Sequence, residues 1–282
     1  MSSVTIQTLV TPKWLSEHLE DPDLVVLDCT VEIGPDYRST SGRASYDGGH
    51  IPTAGFADLT GDLRDRSSSL ESALPTPEAF CAAMGRLGVG DDSRVVLYDG
   101  NMSVWAARVW WMLRWVGFDR AALLDGGLVA WELAGLPLST EPASHPARTL
   151  VPRLCPELVA YRDEVLAAID DPAVHLIDTL PPEHFRGDWT LYPRPGHIPG
   201  AVNVSALSLF DEQGRFRPDD ELAALPSGDR SARHITYCGG GIAASANAFV
   251  MTRLGFTDVA VYMASLEEWT ADPDLPLVTG DD

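Results

Sequence analysis

The sequence is short of cysteine, of positive charge and of long apolar runs, and each shortage excludes something. Four cysteines, Cys29, Cys81, Cys155 and Cys238, stand far apart with no Cys-x-x-Cys pair among them. That spacing suits neither a zinc site nor a disulfide framework, so no metal and no cofactor is expected. Twenty Lys+Arg face 41 Asp+Glu, a net charge of -21. Such a surface repels phosphates, which excludes nucleic acid as a partner. It also means that an anionic substrate needs a local positive site. No stretch approaches the roughly 20 apolar residues that cross a bilayer. The opening residues Met1–Thr5 lack the charged-then-apolar pattern of a secretory signal. No membrane partner is expected, and a reducing cytoplasm fits best.

What is present is a core and a repeat. Hydrophobic residues make up 45% of 282, enough for one large domain or two of about 140 residues. The chain then reads twice. Leu24-Val25-Val26-Leu27-Asp28 returns as Val174-His175-Leu176-Ile177-Asp178, and Gly49-His50-Ile51-Pro52 as Gly196-His197-Ile198-Pro199. Arg94–Gly100 returns as Arg233–Gly239, and Trp131 as Trp269. The order never changes, and the offset drifts only from 150 residues (24 to 174) to 138 (131 to 269).

Each copy alternates short β-branched runs with helically spaced apolar residues. Val95–Tyr98 and Ile235–Tyr237 read as buried parallel strands. Trp105, Val109, Met112 and Val116 keep helix spacing after the first, and Ile242, Ala246, Phe249 and Val250 after the second. Strand, helix, strand in succession implies right-handed crossovers and an α/β fold, a mostly parallel sheet with helices on both faces, once in each copy. The expected division is a first domain over 1–142, a proline-rich linker over 143–154 and a second domain over 155–282.

The copies differ at the end of one strand. The first has Asp99 there; the second has Cys238, followed by Gly239-Gly240-Gly241-Ile242-Ala243 running into a helix. Glycines let successive N–H groups converge on one point, and the helix start adds its partial positive charge to that point. A sulfur or an anion placed there is stabilised. An inert buried cysteine beside a tight turn is the bland alternative. The combination of strand end, three glycines and helix favours a nucleophile. A cysteine phosphatase needs an arginine closing such a loop. Here the next base is Arg253, about three turns along the helix.

These motifs, with Leu124-Asp125-Gly126-Gly127 before Trp131, resemble the rhodanese family, and the whole chain resembles its tandem members. The resemblance implies two rhodanese-like domains, an inactive first copy with Asp99 in the cysteine position and a catalytic second copy. It implies a sulfurtransferase in which thiosulfate or 3-mercaptopyruvate, a small anionic donor, gives sulfur to Cys238. The resulting persulfide passes it to cyanide, a thiol or a thioredoxin-like acceptor. A sulfur-carrier or partner-binding module with little turnover on small donors is the alternative. Gly240 lacks both the cation of thiosulfate-type loops and the serine of mercaptopyruvate-type loops. The resemblance maps a substrate arginine onto Arg194; a second is replaced by His184, leaving Arg186 or a protonated His184 to substitute. His50 is expected either to contact substrate or to order its loop, and His197 to be structural.

Overall fold

The computed structural model describes residues 7–100, 102–143, 145–225 and 228–281. These form two compact units of one topology.

Unit 1 contains β1 (Leu9–Val10), α1 (Pro12–His18), β2 (Leu24–Asp28), β3 (Val31–Ile33), β4 (Ser39–Ser41), α2 (Arg43–Gly48), β5 (Gly55–Phe56), α3 (Pro77–Arg86), β6 (Arg94–Tyr98), α4 (Val104–Trp115), β7 (Ala121–Leu124) and α5 (Gly127–Leu133). Its five-stranded sheet runs β1-β7-β6-β2-β5, parallel throughout. β3 and β4 make a separate antiparallel pair. Every residue of β2 and β6 is buried, as strands covered on both faces require. The helix starts follow local chemistry: Thr11 and Thr76 each accept a hydrogen bond from a first-turn amide, with proline at the next position.

Unit 2 contains β8 (Val159–Ala160), α6 (Arg162–Ala168), β9 (Val174–Asp178), α7 (Pro182–Phe185), β10 (Val202–Asn203), α8 (Asp219–Leu222), β11 (Arg233–Tyr237), α9 (Ile242–Arg253), β12 (Asp258–Tyr262) and α10 (Ser265–Trp269). Its sheet, β8-β12-β11-β9-β10, is again parallel and matches the first strand for strand.

The repeated residues do the same work in each unit. Trp131 and Trp269 are fully buried, and each indole N–H donates to a proline carbonyl six or seven residues on, Pro137 or Pro276, at 2.9 Å. The Ile51 amide donates to the Tyr98 hydroxyl and the Ile198 amide to the Tyr237 hydroxyl, both at 3.1 Å. These tie the Gly-His-Ile-Pro turns to the central strands.

Division of the chain differs from the expectation in two ways. The break falls between Cys155 and Pro156, because the stretch expected as a linker packs on unit 1. Arg148 donates its amide to the Gly85 carbonyl at 2.9 Å, and Arg153 to that of Val116 at 2.8 Å. Gly85 and Gly88 make the room: a methyl group on either would come within 2.5 Å of Arg148 or His145. Two short segments also change sides. Residues 68–73 belong with unit 2 and residues 212–216 with unit 1.

Candidate functional site

β11 ends at Tyr237 and delivers Cys238 to the loop before α9. Gly241 caps that helix in the left-handed conformation, with φ +78°, which a side chain would strain. This turn aims the Gly241 N–H at the Cys238 sulfur, which accepts it at 3.1 Å. The sulfur is almost covered; Cys238 keeps 2% of its surface.

The start of α10 holds the other side of the loop. The Cys238 amide donates to the Ser265 hydroxyl at 3.1 Å, and that hydroxyl donates to the Tyr262 carbonyl at 2.6 Å. In return the Leu266 and Glu267 amides donate to the Cys238 and Gly239 carbonyls at 3.1 and 2.9 Å. The loop is therefore fixed at both ends before any ligand arrives.

Two other segments complete the surroundings. A side chain on Gly240 would begin 3.2 Å from the Ser72 hydroxyl and 3.6 Å from a Glu267 carboxylate oxygen. The Glu71 amide donates to the other Glu267 oxygen at 2.6 Å. A side chain on Gly239 would overlap the Tyr192 hydroxyl, which lies against the backbone immediately after the cysteine. Burial, with the negative charge of Cys238 and Glu267 nearby, lifts the Tyr192 phenol well above its usual range. Under the loop, complete burial pushes the Asp178 carboxyl up to about 7.

The corresponding point in unit 1 carries Asp99. Its two carboxylate oxygens accept the Ser103 and Ala106 amides at 2.9 and 2.8 Å, and Ser103 caps α4 in the same left-handed conformation. In unit 1 the strand-to-helix turn thus holds a carboxylate on its amides.

A rhodanese-like domain model matches residues 11–134 and again 161–272. The chain belongs to the rhodanese-like family. A probable 3-mercaptopyruvate sulfurtransferase of Pseudomonas aeruginosa is 35% identical over 97% of the chain and 98% of the relative. A 3-mercaptopyruvate sulfurtransferase of Escherichia coli K12 is 34% identical over 94% and 95%. A crystal structure of a 3-mercaptopyruvate sulfotransferase from Escherichia coli superposes with a TM-score of 0.83 at 32% identity, covering 92% of this chain and 99% of that one. The doubled α/β architecture expected from the repeats is that of this family.

Around the loop of this rhodanese-like chain, the expected cations are not assembled. Arg194 is committed to the backbone. Its guanidinium donates to the carbonyls of Thr270 (3.2 Å), Leu275 (2.8 Å), Trp269 (3.1 Å) and Asp272 (2.6 Å), and so caps the C-terminal end of α10. Arg186 pairs with Asp188 at 2.9 Å and lines a surface hollow of about 270 Å³ with Pro182, Phe185, Asn203 and Asp281, to which the Cys238 loop does not contribute. His184 is 1% exposed, and burial holds its imidazole below the usual range, so it is a neutral ring and not a stand-in cation. It meets Tyr192 edge-on at 5.3 Å.

The two histidines of the repeated turns are buried. His50 stacks on Tyr46 at 3.9 Å, with its ring nitrogens 2.8 and 3.1 Å from the Tyr46 and Glu141 carbonyls. These contacts order its loop. His197 stacks on Phe185 at 3.5 Å and faces that residue's carbonyl at 2.8 Å. Both sit in matching antiparallel bridges, His50 to Ser139 and His197 to Val278.

Sequence reasoning missed Tyr192, Glu267, Ser72 and Ser265. Tyr192 and Glu267 each stand two residues before one already singled out, Arg194 and Trp269. Nothing local marks Ser72, which reaches the loop only through the course of residues 68–73.

Proposed function

We propose that Cys238 is the residue through which this sulfurtransferase works, taking sulfur from a small anionic donor and holding it as a persulfide. The observation that carries this is the Gly241 amide, 3.1 Å from the Cys238 sulfur at the start of a twelve-residue helix. An amide so placed stabilises negative charge on the attacking sulfur, and after transfer on the outer one. The Asp99 carboxylate in the same turn of unit 1 is the internal precedent for an anion there. It also leaves that unit without a thiol at the equivalent point.

In the first half-reaction the Cys238 thiolate attacks the terminal sulfur of the donor. The bond to the donor's carbon or sulfur breaks with its electron pair, and Cys238 is left as a persulfide. In the second half, cyanide, a low-molecular-weight thiol or a thioredoxin-like protein takes the outer sulfur and restores the thiolate.

Of the two donors, 3-mercaptopyruvate suits the loop better than thiosulfate. Thiosulfate is a dianion, and the loop offers it amides and a helix start but no cation, with Glu267 and Glu71 beside Gly240. A reducing cytoplasm fits an activity that needs a thiol, and Cys29, Cys81 and Cys155 are not joined in disulfides. Among the described residues no helix is long and apolar enough to cross a membrane.

A cyanide assay with each donor, and no partner protein present, tests this reading. Sustained thiocyanate formation is expected. A carrier module would load once and release little.

A further inference from the structure

We propose that Tyr192 is the general acid of the carbon–sulfur cleavage, giving its phenolic proton to the carbon that the sulfur leaves. This rests on Cys238 being the sulfur acceptor.

Three observations lead there. Gly239 is glycine because the Tyr192 hydroxyl occupies the space its side chain would need, with the ring carbon bearing that hydroxyl 2.7 Å from the same point. A hydroxyl against the residue after Cys238 is within reach of a donor whose sulfur meets the thiolate. Second, the glycine loop contributes no side chain able to give a proton, and the arginines and His184 are committed or neutral. Third, burial and the charge on Cys238 keep the phenol protonated throughout the ordinary pH range. A weak acid suffices here, because an enolate carbon is a far stronger base than a phenolate.

The Cys238 thiolate forms a bond to the sulfur of 3-mercaptopyruvate, and the sulfur–carbon bond breaks with its electron pair going to carbon as the pyruvate enolate. Tyr192 delivers its proton to that carbon, completing pyruvate. The phenolate recovers a proton from the S–H that the donor brought, and Cys238 ends as a deprotonated persulfide. Nothing is oxidised or reduced beyond the sulfur exchange, and no further reactant is needed. Thr190 and His184 set the ring: the Tyr192 amide donates to the Thr190 hydroxyl at 3.0 Å, and His184 stands edge-on to it.

The two half-reactions separate this role from a structural one, because discharge of the persulfide to cyanide protonates no carbon. In Tyr192→Phe, single-turnover loading of Cys238 by 3-mercaptopyruvate, followed by mass spectrometry, is expected to slow about a hundredfold or more, the usual contribution of a general acid. Discharge of the fully loaded variant to cyanide is expected to slow at least tenfold less than loading does. Gly239→Ala, which displaces the hydroxyl while keeping the ring, is expected to share the loading defect. Equal slowing of both half-reactions in Tyr192→Phe, or loading at the native rate, would overturn the proposal. Absence of a persulfide on Cys238 in the native protein would instead overturn the reading beneath it.

Discussion

Asp99 and Cys238 occupy the same turn of one fold written twice, and each receives backbone amides from the helix that comes after it. Asp99 takes those of Ser103 and Ala106 on its carboxylate; Cys238 takes that of Gly241 on its sulfur. One copy has filled the turn with its own carboxylate, and the other holds in it the cysteine sulfur that we propose is the nucleophile. The difference between the halves is therefore a difference of chemistry at one point on an otherwise shared scaffold.

We propose that Arg194 serves the fold rather than the substrate. With four hydrogen bonds to carbonyls around the end of α10, Arg194→Ala is expected to destabilise the protein by roughly 2–3 kcal/mol, as loss of hydrogen bonds from a charged group does. Thermal unfolding checks this, with donor KM changing little in the protein that remains folded. A large rise in KM at unchanged melting temperature would return Arg194 to the substrate.

Asp178 gives stability a pH dependence. Burial raises its folded-state pKa to about 7 from an ordinary value of 3.8. Below about pH 4 the carboxyl is neutral whether the chain is folded or not. Between there and about 7 only the unfolded chain gives up the proton, so the contribution present at low pH is lost as pH rises through 7. Asp178→Asn keeps an acceptor for the Leu180 amide, which Asp178 accepts at 2.8 Å, and removes the titration. Its melting temperature is expected to gain on the native protein from about pH 4 to about pH 7 and to hold that gain above it. Parallel curves would show that folding does not raise the Asp178 pKa.

We propose that charge sets the donor preference. The loop's side of the site is made of amides, hydroxyls and the Glu267 carboxylate. We expect kcat/KM for 3-mercaptopyruvate to exceed that for thiosulfate by at least tenfold, with both measured by thiocyanate formation at one ionic strength. A preference for thiosulfate would mean that a cation reaches the sulfur in solution.

The repeat made the fold legible. Strand ends, Gly-His-Ile-Pro turns and the paired tryptophans recur because each performs one packing task per sheet, and two copies of a pattern exclude chance. Cys238 stood out for the converse reason, as the place where the copies disagree, and its role as sulfur carrier is what we propose. The cations were not. Whether Arg194 reaches a substrate or a row of carbonyls depends on the path of residues 269–275, and whether His184 is charged depends on its burial. Neither is written in local spacing. Tyr192 was hidden in the same way, since its hydroxyl meets Gly239 only once the turns after α7 have brought residue 192 to the loop. The stretch 143–154 reads as a linker because it lacks periodicity. It binds unit 1 through backbone hydrogen bonds over glycines, which need no side-chain pattern.

That sulfur rides on Cys238 is tested most directly by mass spectrometry of the native protein after treatment with 3-mercaptopyruvate and no acceptor. One added sulfur is predicted on the peptide containing Cys238, removable by cyanide, with Cys29, Cys81 and Cys155 unmodified. The same treatment of a folded Cys238→Ser variant is predicted to add none. Sulfur found on another cysteine, or transfer persisting in Cys238→Ser, would contradict the account.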